Sequence, residues 1–148
     1  MNVAERAGLF FLDTNILVYT FDATAPEKRQ IGQELVRNAL ESRKGIISTQ
    51  IVQEFLNVAA HKFERPMTVS DSQAYLKTVL LPLCQHYPSN TFYEKVFLIK
   101  AETGYAFYDT LVVTAAVESG CKTLFSEDLQ AGQVIHGLTI VNPFAVNG

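Results

Sequence analysis

Leu9-Phe10-Phe11-Leu12 is apolar at every position, and Asp13-Thr14-Asn15 stops it. A strand with one face in water alternates between apolar and polar residues, whereas one covered on both faces does not. The run therefore predicts a strand inside a sheet whose two faces are both packed. Gly45-Ile46-Ile47-Ser48, Thr123-Leu124-Phe125 and Leu138-Thr139-Ile140-Val141 repeat the short apolar pattern, the last limited by Pro143. Leu83 to Tyr87, cut off by Pro88, reads as one more strand.

Helical patterns fill the intervals. A short helix begins at Ile16. The next opens at Pro26 with Glu27 in its first turn and runs to about Arg43, before the stop signal Gly45. Thr49 caps a helix from Gln50 to about Lys62, whose Ile51, Val52, Phe55, Leu56, Val58 and Ala59 form one stripe at helical spacing. Glu54 sits at the edge of that stripe. After a loop from Phe63, Thr68 or Ser70 caps a helix to about Leu80, and Ser89 or Asn90 caps another to about Glu102, ended by Gly104. From Asp109 to about Ser119 the pattern is apolar nearly all round, which marks a helix buried against the sheet. This alternation predicts an α/β fold, a parallel β-sheet flanked by helices on both faces. The helices between Ser48 and Asp109 exceed what a minimal strand–helix–strand unit needs, and the surplus is expected to form a lobe beside the sheet.

A chain of 148 residues with 48% hydrophobic and 18% charged residues is read as a single domain, 1–148, with a real core. No apolar run approaches the roughly 20 residues that span a bilayer. Met1 to Ala7 leads into only four strong apolar residues, too few for a signal-peptide core. A cytoplasmic location is expected. Cys84 and Cys121 lack metal-ligand spacing and read as small buried apolar residues. A net charge of −3 gives no global attraction to nucleic acid, so such a role needs a local patch or a bridging cation.

Four acids stand where an α/β protein places site residues: Asp13 after the first strand, Glu54 early in a helix, Asp109 opening a helix, and Asp128 shortly after Phe125. Singly, each Asp also suits a helix N-cap. Jointly, they would repel one another unless a cation or protons intervened, and a divalent metal with phosphoryl chemistry resolves that conflict. Glu127 adds a carboxylate expected to face water.

Leu12-Asp13-Thr14-Asn15, Gln53-Glu54-Phe55, Tyr108-Asp109-Thr110-Leu111 with Thr114-Ala115-Ala116, and Phe125-Ser126-Glu127-Asp128-Leu129 occur in an order that resembles the PIN-domain nucleases, and among them the VapC-type toxins. The resemblance runs from about Leu9 to Pro143. It implies a PIN-like three-layer α/β/α fold and a metal-dependent endoribonuclease. Residues matching Asp13, Glu54, Asp109 and Asp128 would hold Mg²⁺ or Mn²⁺ and cut RNA, with Thr14, Asn15 and Ser126 supporting the pocket. It further implies a homodimer held inactive by an antitoxin protein that offers a basic side chain to the acidic pocket. The sequence departs from many relatives at Ser126-Glu127, where a basic residue often precedes the last Asp.

A non-catalytic RNA- or protein-binding PIN-like module is the alternative, disfavoured because four uncompensated acids repel phosphate. A haloacid-dehalogenase-like phosphatase would need a second Asp where Asn15 stands, and no phosphate-binding or dinucleotide glycine loop is present. His61, His86 and His136 lack ligand spacing and read as structural or exposed, though His61 follows Glu54 by two turns and could approach a phosphate. Phe92, Tyr93, Val96 and Phe97 cluster on one helix and read either as part of a dimer or partner surface or, preferably, as core packing. Lys62 and Arg65, in or just after the Glu54 helix, are the cations best placed for an RNA track.

Overall fold

The computed structural model describes residues 8–145, so the reading of Met1 to Ala7 lies outside the described residues. Six strands form one sheet: β1 (Phe10–Leu12), β2 (Gly45–Ser48), β3 (Cys84–His86), β4 (Thr123–Phe125), β5 (Val134–Ile135) and β6 (Leu138–Val141). Their order is β3-β2-β1-β4-β6-β5, parallel throughout except for β5 against β6. Every residue of β1 and β2 is buried, as their unbroken apolar runs require. The helices are α1 (Thr14–Tyr19), α2 (Pro26–Ser42), α3 (Thr49–His61), α4 (Val69–Tyr75), α5 (Leu81–Leu83), α6 (Asn90–Thr103) and α7 (Phe107–Glu118). They cover the mostly parallel sheet in the α/β/α manner.

The surplus helices are crossovers: α3 to α5 carry the chain from β2 to the edge strand β3, and α6 and α7 return it to β4. Two local expectations are corrected, and one strand is new. The helix read to Leu80 ends at Tyr75, widens into a π-type turn over Leu76–Leu80, and closes with α5. Pro82 in that last turn lacks an amide to donate to the helix, and the widened turn adjoins it. Ser48, not Thr49, is the residue flanking α3. Finally, β5 was not evident from the sequence, and it pairs with β6 through His136 and Gly137, both at positive φ (50° and 83°). That pair of angles is the type I′ hairpin turn, a geometry glycine accepts freely and histidine only when the hairpin enforces it.

One glycine is required by close approach. A Cβ on Gly45 would lie 2.1 Å from the Ala39 Cβ and 2.7 Å from its Cα, so α2 could not pack on β2. Gly45→Ala is expected to destabilise the fold by about 3 kcal/mol, the upper range for overpacking. A urea titration checks this, and a midpoint equal to that of the unsubstituted chain would show that the helix yields freely.

Candidate active site

Strand order reverses between β1 and β4, because β1, β2 and β3 run outward one way and β4, β6 and β5 the other. At such a switch point the connections leave in opposite directions and open a crevice at the carboxyl ends of the strands. Leu12 and Phe125 are Cα partners there, and the Asp13 N–H donates to the Phe125 carbonyl at 3.0 Å. Asp13 and Ser126 therefore emerge side by side. The Ser126 hydroxyl donates to Asp13 Oδ2 at 2.7 Å, and the Thr14 N–H donates to Oδ1 at 2.8 Å. Asp13 is thus the N-cap of α1, as its residue type allows, while being only 8% exposed.

Burial pushes the Asp13 carboxyl up to about 6. The Ser126 hydroxyl and the Thr14 amide pull against that shift, and the negative charges of Glu54 and Asp128 add to it. Desolvation wins because the hydrogen bonds orient the group without cancelling its charge. The neighbouring carboxylates are held in the same way, by neutral donors. Asn15 Nδ2 donates to Asp128 Oδ2 at 3.1 Å, and Gln50 Nε2 donates to Glu54 Oε1 at 2.7 Å. The same Gln50 nitrogen donates to the Tyr108 carbonyl at 3.2 Å, tying Glu54 to the residue before Asp109.

The PIN domain pattern matches residues 10–134. The chain belongs to the PIN-domain family. No curated protein matches it. PIN domains are generally metal-dependent nucleases, which makes the placement of the four acids the central question.

The structure brings Glu54 and Asp128 each within electrostatic reach of Asp13, and places Asp109 one residue beyond the Gln50 tether. Among the described residues, none of the four makes an ion pair, and no three His, Cys, Asp or Glu side chains stand close enough to form a ready chelate. Carboxylate oxygens are the donors that a hard divalent cation takes, one or two directly and the others through water. Thr14, the residue after Asp13, has its Oγ1 buried without a hydrogen-bond partner among the described residues.

Three sequence readings change here. Asp109 does not cap α7. Ala106 flanks the helix, and Asp109 occupies its first turn, half-buried and without a hydrogen bond among the described residues. A carboxylate there is favoured by the helix dipole. Asp128 opens no helix, since the chain from Glu127 to Leu129 is a bend. Glu127 does not simply face water: Lys28 Nζ lies 2.6 Å from its Oε2, and the Tyr19 hydroxyl donates to Oε1 at 2.6 Å. That pair removes Glu127 from the acidic group. Gln50 was missed by sequence reasoning, and its only signal was its place one turn before Glu54.

The histidine and cysteine readings fare as follows. His86 is buried against Glu118 at 2.9 Å, His136 meets Glu102 at 2.7 Å, and His61 is exposed with Nδ1 2.9 Å from the Asn57 carbonyl oxygen. Both cysteines are free and buried. Of the four clustered residues read preferably as core, Phe92 and Val96 are buried, whereas Tyr93 and Phe97 are exposed. No helix among the described residues is long and apolar enough to cross a membrane.

A carboxyl whose folded-state value is raised binds its proton more tightly folded than unfolded. Its contribution to stability is full below about pH 4 and is lost as the pH rises through about 6. In metal-free buffer at pH 8, Asp13→Asn should therefore be more stable than the unsubstituted chain, by up to about 3 kcal/mol. The advantage should shrink as the pH falls toward 4. Paired denaturation curves in chelator at the two pH values measure it, and a constant difference between them would show that Asp13 is not strained by its charge.

Proposed function

We propose that the chain is a metal-dependent endoribonuclease that hydrolyses RNA phosphodiester bonds and serves as the toxin of a type II toxin–antitoxin pair. The observation that carries this reading is Asp13, a buried carboxylate at the switch point that faces two further carboxylates and no cation. An anionic phosphate can approach such a pocket only after its charge has been offset, which makes a divalent cation part of the reading.

In this proposal Asp13 and Asp109 are metal ligands, directly or through water, and Glu54 and Asp128 complete the shell or orient the attacking water. Ser126 and the Thr14 amide fix both oxygens of Asp13, Asn15 fixes Asp128, and Gln50 fixes Glu54. Mg²⁺ or Mn²⁺, when bound, lowers the pKa of its water and steadies charge building on the phosphate. The water oxygen bonds to phosphorus in line with the departing O3′, a carboxylate takes the water proton, and O3′ leaves and is protonated. The products are a 5′-phosphate and a 3′-hydroxyl. Since the nucleophile is water, the ribose 2′-hydroxyl is not a reactant, and preference for RNA rests on recognition.

The toxin role is supported by the likeness of the Asp13, Glu54, Asp109 and Asp128 segments to VapC-type toxins. It carries with it a homodimer, a cytoplasmic location, and an antitoxin whose basic side chain would fill the uncompensated acidic pocket.

Asp109→Asn should keep the fold, since it loses only a dipole interaction of roughly 0.3–1 kcal/mol, and should lower metal-dependent RNA cleavage by more than about 100-fold. Unchanged turnover by contaminant-free variant protein would remove Asp109 from the reaction. Lys62 and Arg65 are exposed at the end of the Glu54 helix and just beyond it. Reversing both charges should weaken RNA binding and flatten its dependence on salt. Equal affinity and an equal salt slope would place the RNA track elsewhere.

A further inference from the structure

Beside the acidic crevice lies a second recess, and one side chain belongs to both. A cavity of about 170 Å³ opens where β2 and β3 end, bounded by Ser48 and His86 from the strands and by Tyr93 and Tyr108 from α6 and α7. Gln50 and Gln53 of α3 complete its polar side. Gln50 is also the residue that donates to Glu54 and to the Tyr108 carbonyl, so cavity and carboxylates share a wall.

Three properties define what fits. The aromatic residues at the cavity keep flat, accessible surface, with Tyr93 and Tyr108 being 48% and 69% exposed. No lysine or arginine lines the cavity, so a phosphate finds no counter-charge there. Ser48 is 2% exposed, yet its hydroxyl has no hydrogen-bond partner. A buried polar group left unmet is costly, and a ligand that meets it recovers that free energy. Imidazole cannot serve Ser48 in both directions, because Nε2 of His86 is engaged by Glu118 at 2.9 Å. The required occupant is small, planar, uncharged and polar along one edge.

We propose that this cavity is a nucleobase subsite, which takes one unpaired base of the strand whose phosphate lies over the carboxylates. The base stacks on the exposed tyrosines and presents its edge to Ser48 and to the amides of Gln50 and Gln53. A base in a duplex has that edge turned toward its partner, so the strand is single at this nucleotide. The inference rests on the ribonuclease reading for the identity of the strand, and it adds the residues that choose the base. A phenylalanine side chain from a protein partner would leave the Ser48 hydroxyl unmet, which disfavours it as the occupant.

The test uses the full chain in chelator, where cleavage plays no part. Adenosine, guanosine, cytidine and uridine are titrated separately while backbone amide shifts are followed by NMR. At least one nucleoside should saturate, with the largest shifts at Ser48, Gln50, Gln53 and Tyr108. Ser48→Ala should weaken that nucleoside by about threefold to tenfold, and Tyr108→Ala by about tenfold or more. Both variants should fold, since the first deletes an unmet hydroxyl and the second trims an exposed ring. Absence of saturation by all four nucleosides overturns the subsite, as does affinity unchanged in both variants. Tighter binding of phenylalanine amide at the same residues assigns the cavity to a protein side chain and also overturns it. RNA cleavage without nucleoside binding would leave the nuclease reading standing and remove the subsite. Nucleoside binding at Ser48 in a chain that never cleaves RNA would do the reverse.

Discussion

Asp13 is buried at the switch point and hydrogen-bonded through both oxygens, and the rest of the site follows from the conflict between its charge and its burial. The in-register pairing of Leu12 with Phe125 delivers Asp13 and Ser126 together, and one oxygen of the carboxyl is met by each neighbouring donor. Its geometry is therefore fixed from both strands. Its charge is not offset, because a hydroxyl and an amide supply partial charge only, while burial removes the solvation of a full one. The upward shift to about 6 records which effect is larger. A carboxyl in this condition is fixed in position and left with its charge unmet.

The distribution of partners over the other acids follows the same logic. All the ion pairs among the described residues fall on Glu102, Glu118 and Glu127, outside the four carboxylates. Those four have neutral donors or none: Ser126 and Thr14 on Asp13, Asn15 on Asp128, Gln50 on Glu54. The contrast is sharpest between Glu127 and Asp128, adjacent in the chain. Lys28 closes on the first at 2.6 Å, and an amide holds the second at 3.1 Å. A cation on Asp128 would have cancelled the field that the amide leaves intact. Neutral tethers orient carboxylates and preserve their joint charge.

How much of this could be read from the residues depended on whether a feature was written as hydrophobic pattern or as contact. The strands β1, β2, β4 and β6 were legible because unbroken apolar runs have few other uses. The two-residue strand β5 left no such run, and its turn sequence His136-Gly137 is weaker as a signal than the Asn-Gly or Asp-Gly that usually marks this geometry. Asp13, Asp109 and Asp128 stood out as acids beside apolar segments; Asp13 does cap its helix, whereas Asp109 and Asp128 cap none. Capping is decided by one backbone angle, and neighbouring residues of several types can accept it. Glu127 and its partner Lys28 are 99 residues apart, and no local pattern encodes a pair at that separation. Ser48 and His86 were invisible as cavity residues because only the register of β2 with β3 brings them together.

Gln50 shows how a single amide can join what the chain keeps apart. Its nitrogen carries two hydrogens, enough for both the Glu54 carboxylate and the Tyr108 carbonyl. The first turn of α3 is thereby clamped to the first turn of α7, and Glu54 and Asp109 are held in relation through one planar group. A lysine at this position could reach one acceptor strongly but would cancel the charge of Glu54. A leucine would preserve the charge and lose the clamp. A neutral side chain with two donors on one atom joins both helices and leaves the acidic field intact, so this amide orients Glu54 without offsetting its charge.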